Sequence, residues 1–254
     1  MMKEKIIELK QISKKFRLDC KDNRSILAKI LSFISIKKRK KELQALKDIS
    51  FDVFKGEIVG VIGANGSGKS TLLKVITGIY QPEKGVVKSK GKLIYVGGFN
   101  QGLQPRLTMA ENIYLRGALL ELSRKDIKEK FWEIVEFSGL SDFLDTKVYQ
   151  FSTGMTIRLN FSVTIHCIQH QNPEILLIDE VFGTGGDANF NAEALEKMGQ
   201  LIKSGATVLL ASHRVDIITK YCRRVVLLEK GKIVKIGRPA EVVKKYLSMC
   251  KKAG

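Results

Sequence analysis

The sequence predicts an α/β fold, a mostly parallel sheet wound with helices, with a β-rich start and a helical segment inserted within it. Three observations carry this. Short apolar runs such as "EILLIDE" (174–180), "ATVLLAS" (206–212) and "RRVVLLEKGKIVKIG" (223–237) alternate with helical patterns, as parallel βα units require. A Gly-rich turn, "GANGSGKST", stands between a strand pattern and a helix pattern. Between them, residues 108–165 show only 3.6-residue periodicity and no strand signal.

Taken in order, "KIIELKQISKKF" reads as a short alternating strand, and "ALKDISFDVFKGEIVGVIG" as two further strands joined at Lys55-Gly56. From Lys69 the apolar residues of "STLLKVITGIY" recur at helical spacing and stop at Gly78, with Pro82 beyond. The segments "MAENIYLRGALLEL", "RKDIKEKFWEIVEFSGL" and "TGMTIRLNFSVTIH" then form the helical insert. No internal repeat or low-complexity linker divides the chain, so the 254 residues are expected to make a single domain.

Composition narrows the partners without choosing one. A net charge of +18 asks for something anionic: nucleic acid, an acidic membrane face, or phosphorylated ligands. The cysteines Cys20, Cys167, Cys222 and Cys250 are scattered, which suggests neither a zinc ribbon nor a disulfide framework and fits a reducing compartment. No apolar run approaches the ~20 residues that span a bilayer, and "MMKEKIIELK" has Lys and Glu where a signal peptide needs an unbroken apolar core. A membrane role is therefore expected to be peripheral.

Gly63, Ala64, Asn65, Gly66, Ser67, Gly68, Lys69, Ser70 and Thr71 match G-x-x-x-x-G-K-[ST]. The glycines let successive N–H groups turn inward as an anion nest, and the helix that follows adds the positive end of its dipole. Lys69 can reach the β- and γ-phosphates of a nucleotide, and the Ser70 hydroxyl can ligate Mg²⁺. A Gly-rich turn with a chance lysine would lack the flanking strand and helix. Asp179 and Glu180 end a fully apolar strand, where open α/β sheets place ligands. Asp179 would hold the Mg²⁺ shell and Glu180 would activate water against the γ-phosphate. The bland alternative, an acidic pair capping the next helix, loses ground beside a P-loop.

The P-loop, the helical insert and "FSTGM" (151–155) upstream of "LLIDE" together resemble the ATP-binding subunits of ABC transporters. The resemblance implies a P-loop NTPase core of ABC type, with an N-terminal antiparallel β-subdomain and an inserted α-helical subdomain at about 98–170. "FSTGM" stands where the family's LSGGQ-like signature stands; Ser152 and Gly154 match it, while Thr153 and Met155 depart. It implies that Ser152, Thr153 and Gly154 start a helix that closes over ATP held by a second subunit, so that two ATP molecules are sandwiched in a homodimer. His213 in "LLASHR" matches the switch histidine, Phe16 in "ISKKF" the aromatic that stacks on adenine, and Asp187 the D-loop aspartate. For the glutamine that joins the metal shell, Gln101 and Gln104 both stand off the common spacing, and Gln101 is favoured. His166 and His170 have the spacing of a zinc pair, yet with no third ligand nearby they are read as structural or exposed.

"YVGGFNQGLQPRLTMAEN", "FSTGMTIRL" and the intervening "RGALLELSRKDIKEKFWEIVEFSGLSDFLD" resemble, more narrowly, polysaccharide-export ATPases. That subgroup also carries an insertion where this chain has "RSILAKILSFISIKKRKK" (24–41), whose Ile26, Leu27, Ile30, Leu31 and Ile34 form one apolar helical stripe ending in basic residues. The run could pack on its own domain, lie on an anionic membrane, or meet a partner; the resemblance favours a helix at the membrane below a permease. The implied function is ATP hydrolysis driving export of lipid-linked cell-surface polysaccharide (O-antigen, capsule or teichoic acid). The expected cofactors are ATP and Mg²⁺. The implied partners are a second ATPase subunit and two copies of an integral-membrane permease, at the cytoplasmic face of the plasma membrane. Residues 238–254 are a short extension. Another ABC exporter or importer, a nucleic-acid or ribosome-associated ABC ATPase, and an ATP-sensing module without turnover are the rivals. One P-loop and no long coiled coil speak against a nucleic-acid partner.

Overall fold

The computed structural model describes residues 4–18, 41–97, 102–180 and 188–253. The run at 24–40, Gln101 and Asp187 lie outside the described residues, and so do their expected roles.

β1 (Lys5–Leu18) pairs antiparallel with β2 (Lys41–Phe54) on one side and with β4 (Lys84–Ser89) on the other, making a three-stranded sheet. β1 extends beyond the run read from sequence, and it has to break its own alternation. Ile7 and Leu9 are two apart but Ile12 is three further on, and all three are buried. A bulge resolves the parity: Gln11 takes φ 52 and the register shifts between Leu9 and Ile12, so Ile12 returns to the core face.

The second sheet has the order β5–β6–β7–β3–β8–β9, built from β3 (Ile58–Ile62), β5 (Leu93–Gly97), β6 (Ile175–Asp179), β7 (Thr207–Ala211), β8 (Arg224–Glu229) and β9 (Lys232–Gly237). All neighbours are parallel except β8 and β9. The stretch read as a strand signal at 223–237 is thus a hairpin: Lys230 and Gly231 both take positive φ, 47 and 75, which is what a tight two-residue turn demands. β4 and β5 are further strands that sequence reading left unnamed. β6 and β7 are buried along their whole length. Leu176 and Ile178 face one core, and Ile175 and Leu177 the other, which explains an apolar run without alternation.

α1 (Lys69–Ile76) fills the space between the two sheets with Leu72, Leu73, Val75 and Ile76. On the opposite face lie α5 (Ala188–Ile202), α6 (Val215–Tyr221) and α7 (Pro239–Ala253). α7 occupies what the sequence suggested only as an extension, and it buries Val242 in the sheet core.

α2 (Met109–Leu119), α3 (Arg124–Ser138) and α4 (Thr153–Gln171) make the helical part around Met109, Ile113, Ile134, Leu159 and Val163. α4 serves two cores: Leu159, Val163 and Cys167 face this cluster, whereas Phe161, Ile165 and Ile168 face the sheet. Such a helix is buried around its circumference, which couples the insert rigidly to the α/β core. His166 is part of that packing, its Nδ1 2.8 Å from the Ser162 carbonyl and its ring against Phe137. His170 instead approaches Asp126 at 3.4 Å, and among the described residues no cluster of three or more His, Cys, Asp or Glu could hold a metal ion.

Candidate nucleotide-binding site

β3 ends at Ile62 and the chain turns through residues 63–68 into α1. Gly68 is the N-cap of α1 with φ 107, and a Cβ there would lie 2.6 Å from the Ala45 carbonyl, so the position accepts glycine alone. No side chain caps α1 at its start. Its first N–H groups are left for an anion, the arrangement that binds phosphate.

Lys69, 4% exposed, donates to the carbonyls of Gly63 at 2.9 Å and Ala64 at 3.2 Å and pairs with the Glu180 carboxylate at 3.2 Å. His213, just beyond the end of β7, brings Nδ1 to 3.4 Å from the same Glu180 oxygen. Glu180 leaves the end of β6 with φ 51, a left-handed conformation costly to a side-chain-bearing residue and found where the surroundings impose it. Burial alone would push the Glu180 carboxyl up; the Lys69 hydrogen bond and charge, with His213 behind them, outweigh it and hold the carboxyl below the usual range.

One residue earlier, Asp179 is 7% exposed and both its oxygens are engaged. The Ser70 hydroxyl donates to Oδ1 at 3.0 Å, and the Tyr95 hydroxyl donates to Oδ2 at 3.0 Å. Burial, then the Asp179 charge and the hydrogen bond to it, push the Tyr95 phenol well up, so it keeps its proton and donates. Sequence reading missed Tyr95 because the contact depends on β5 lying beside β6.

A cavity of about 500 Å³ opens over the turn, lined by Asn65, Gly66, Gly68, Lys69, Ser70, Thr71 and Glu180 together with Phe16. The structure thus brings the expected adenine-stacking ring to the same cavity as the phosphate-binding turn. Phe16 meets Tyr80 edge to face at 5.2 Å, with Lys14 over its ring. Leu43, Gln44, Ala45 and Lys230 also line it. Leu43 arrives as the cross-strand partner of Phe16, which only the β1–β2 register reveals.

Ser152, Thr153 and Gly154 stand elsewhere. Ser152 N-caps α4, accepting from the Met155 N–H at 3.2 Å, and the three residues do not line the cavity of their own chain. Gln104 is exposed, and its backbone is pinned by Asn112.

This arrangement can take a nucleotide triphosphate: an aromatic for the base, N–H groups and Lys69 for phosphates, and a carboxylate with an imidazole beside it for water. The family model described as ABC transporter matches residues 46–183, more than half of the chain. The chain belongs to the ABC transporter family. ABC ATPases bind ATP, and Mg²⁺ is general among them. The oxygen pair of Ser70 and Asp179 suits that hard cation, which takes few protein ligands and leaves room for phosphate oxygens and water.

Among curated relatives of this ABC chain, the O-antigen export system ATP-binding protein RfbB of Klebsiella pneumoniae is 39% identical over 202 residues, 80% of each chain. The ABC transporter protein AbcA of Aeromonas salmonicida is 38% identical over 81% of this chain and 65% of its own. The teichoic acids export ATP-binding protein TagH of Lactococcus lactis is 37% identical over 94% of this chain. The chain spans about half the length of that last relative, 50%. Of solved structures, an ATP-binding subunit of an ABC transporter aligns with TM-score 0.68 at 24% identity, over 95% of this chain and 93% of its own. A dimeric, post-hydrolysis ATP-binding cassette bound to ADP and Pi aligns with TM-score 0.67 at 22% identity, over 92% and 99%. These two likenesses show the ABC cassette fold.

Proposed function

We propose that this chain is the ATP-hydrolysing subunit of an ABC exporter that moves lipid-linked cell-surface polysaccharide through a separate membrane permease. The observation that carries the chemistry is the juxtaposition of Lys69, Glu180 and His213 beside the Ser70–Asp179 pair. The cargo is supported by relatives named for O-antigen and teichoic acids export, the former matching over most of both chains.

The residues divide the work. Phe16 takes the adenine ring, and the turn at 63–71 binds the phosphates through its N–H groups. Lys69 leaves Glu180 for the β- and γ-phosphates, a more strongly anionic partner, and so frees the carboxylate as nucleotide binds. Glu180 then orients water in line with the γ-phosphate and takes its proton, while His213 holds the γ-phosphate and the carboxylate in register. Mg²⁺ bound at Ser70 and Asp179, with Gln101 as a further contributor, would neutralise charge developing between the phosphates. The start of α4, Ser152, Thr153 and Gly154, supplies a second helix N-terminus, for ATP held by another copy of the chain. The chain works as a homodimer under two permease copies, at the cytoplasmic face of the membrane. Among the described residues no helix is long and apolar enough to cross a bilayer. The basic, amphipathic run at 24–41, read from sequence, supports an anionic membrane surface as neighbour.

Steady-state phosphate release tests the chemistry. Glu180→Gln keeps ATP binding and loses about 10²–10⁴-fold in turnover, the usual weight of a general base. Unchanged turnover in that variant removes Glu180 from the role assigned to it.

A further inference from the structure

Asp179 keeps its orientation through a contact that the nucleotide-site motifs do not include. In β5, Tyr95 and Gly97 lie on the same face, two residues apart, and Gly97 is the register partner of Asp179 in β6. The Tyr95 side chain folds along the strand over Gly97, and its hydroxyl reaches Oδ2 of Asp179 at 3.0 Å. A Cβ on Gly97 would stand 2.6 Å from Tyr95 Cε1 and nearer still to the hydroxyl. Any side chain at 97 therefore closes the path by which the tyrosine crosses to the neighbouring strand.

We propose that Tyr95 is a positioning residue for the metal site, locking the Asp179 carboxylate through Oδ2 so that Oδ1 is presented to Ser70 and the cation, and that Gly97 is glycine to admit it. The proposal rests on Asp179 belonging to the metal shell. The physical basis is preorganisation. A carboxylate held by one oxygen only can turn about its terminal torsion; held at both, by Ser70 at 3.0 Å and Tyr95 at 3.0 Å, it cannot turn without breaking a bond in a nearly closed environment. Outer partners that fix a ligand in this way carry much of a site's metal affinity. The tyrosine ring is half-buried, so Tyr95→Phe keeps the packing and removes only the hydroxyl.

The test uses the full chain with ADP and Mn²⁺ as the spectroscopic stand-in for Mg²⁺, measuring bound Mn²⁺ by electron paramagnetic resonance, with ADP affinity in EDTA as the control. Tyr95→Phe loosens Mn²⁺ about 10-fold or more and leaves metal-free ADP binding unchanged. Gly97→Ala, if its circular dichroism matches the parent, gives the same loss, and combining the two adds nothing further. If Asp179→Asn loosens Mn²⁺ while Tyr95→Phe does not, the positioning role is overturned and the metal site stands. If Asp179→Asn leaves Mn²⁺ affinity unchanged, the metal-shell reading of Asp179 falls, and the role of Tyr95 falls with it.

Discussion

A buried cation needs an anion, and Lys69, 4% exposed, finds one in Glu180 at 3.2 Å while two carbonyls take the rest of its donors. The pair neutralises itself here; under the function proposed above, phosphate gives the same lysine a better partner and leaves the carboxylate facing water. Burial acts on the thiols as it does on this pair, by penalising charge. It pushes both Cys167 and Cys222 up to about 12, while Cys250 is exposed. Because the thiolate is the nucleophile, labelling at pH 8 followed by peptide mapping should modify Cys250 and spare Cys167 and Cys222, and unfolding should make all three react. Rapid labelling of Cys222 in the folded chain would show that the sheet core opens more readily than its packing implies.

At the scale of elements, the "LTMAEN" stretch shows how a motif known by resemblance acquires a physical reason. Thr108 N-caps α2 and accepts from the Glu111 N–H at 3.2 Å, while the Glu111 carboxylate accepts from the Thr108 N–H at 2.8 Å, a reciprocal box. Asn112, fully buried, accepts from the Gln104 N–H at 2.7 Å and donates to the carbonyls of Gln104, Leu107 and Thr108. It ties the loop after β5 to the helix that follows. Asn112→Ala strands several of these buried groups and should cost about 2–3 kcal/mol in urea unfolding, against well under 1 kcal/mol for an exposed site. A cost near zero would mean that the loop is held by other contacts.

Much of the site could be read from the chain, and the reasons are local. The turn at 63–71 and the apolar strand that runs into Asp179 and Glu180 each declare themselves within a few residues, whereas Ser152 is placed at a helix start by the resemblance, and it N-caps α4. What was not legible depends on pairing. Tyr95 on Asp179, Leu43 opposite Phe16 and Lys230 at the cavity rim are set by register between strands far apart in sequence. The bulge at Gln11 was hidden for another reason: the run through Phe16 reads as one alternating strand, and only the partner strands show that its register shifts between Leu9 and Ile12.

For the whole molecule, the decisive feature is the separation between the cavity over Lys69 and the start of α4. The cavity over Lys69 is lined by the turn at 63–71 and by Glu180 but by none of Ser152, Thr153 and Gly154 at the start of α4, of which Ser152 and Thr153 lie exposed on the same chain. Under the function proposed above, a second copy completes it and ATP is the joint. The measurement that tests this most directly is the mass of Glu180→Gln by light scattering after size-exclusion chromatography, with Mg²⁺ and either ATP or ADP. The account predicts a dimer with ATP and a monomer with ADP, with the ATP-dependent dimer abolished by adding Ser152→Arg at the helix start. A monomer with ATP, or a dimer indifferent to the nucleotide and to Ser152→Arg, would contradict it.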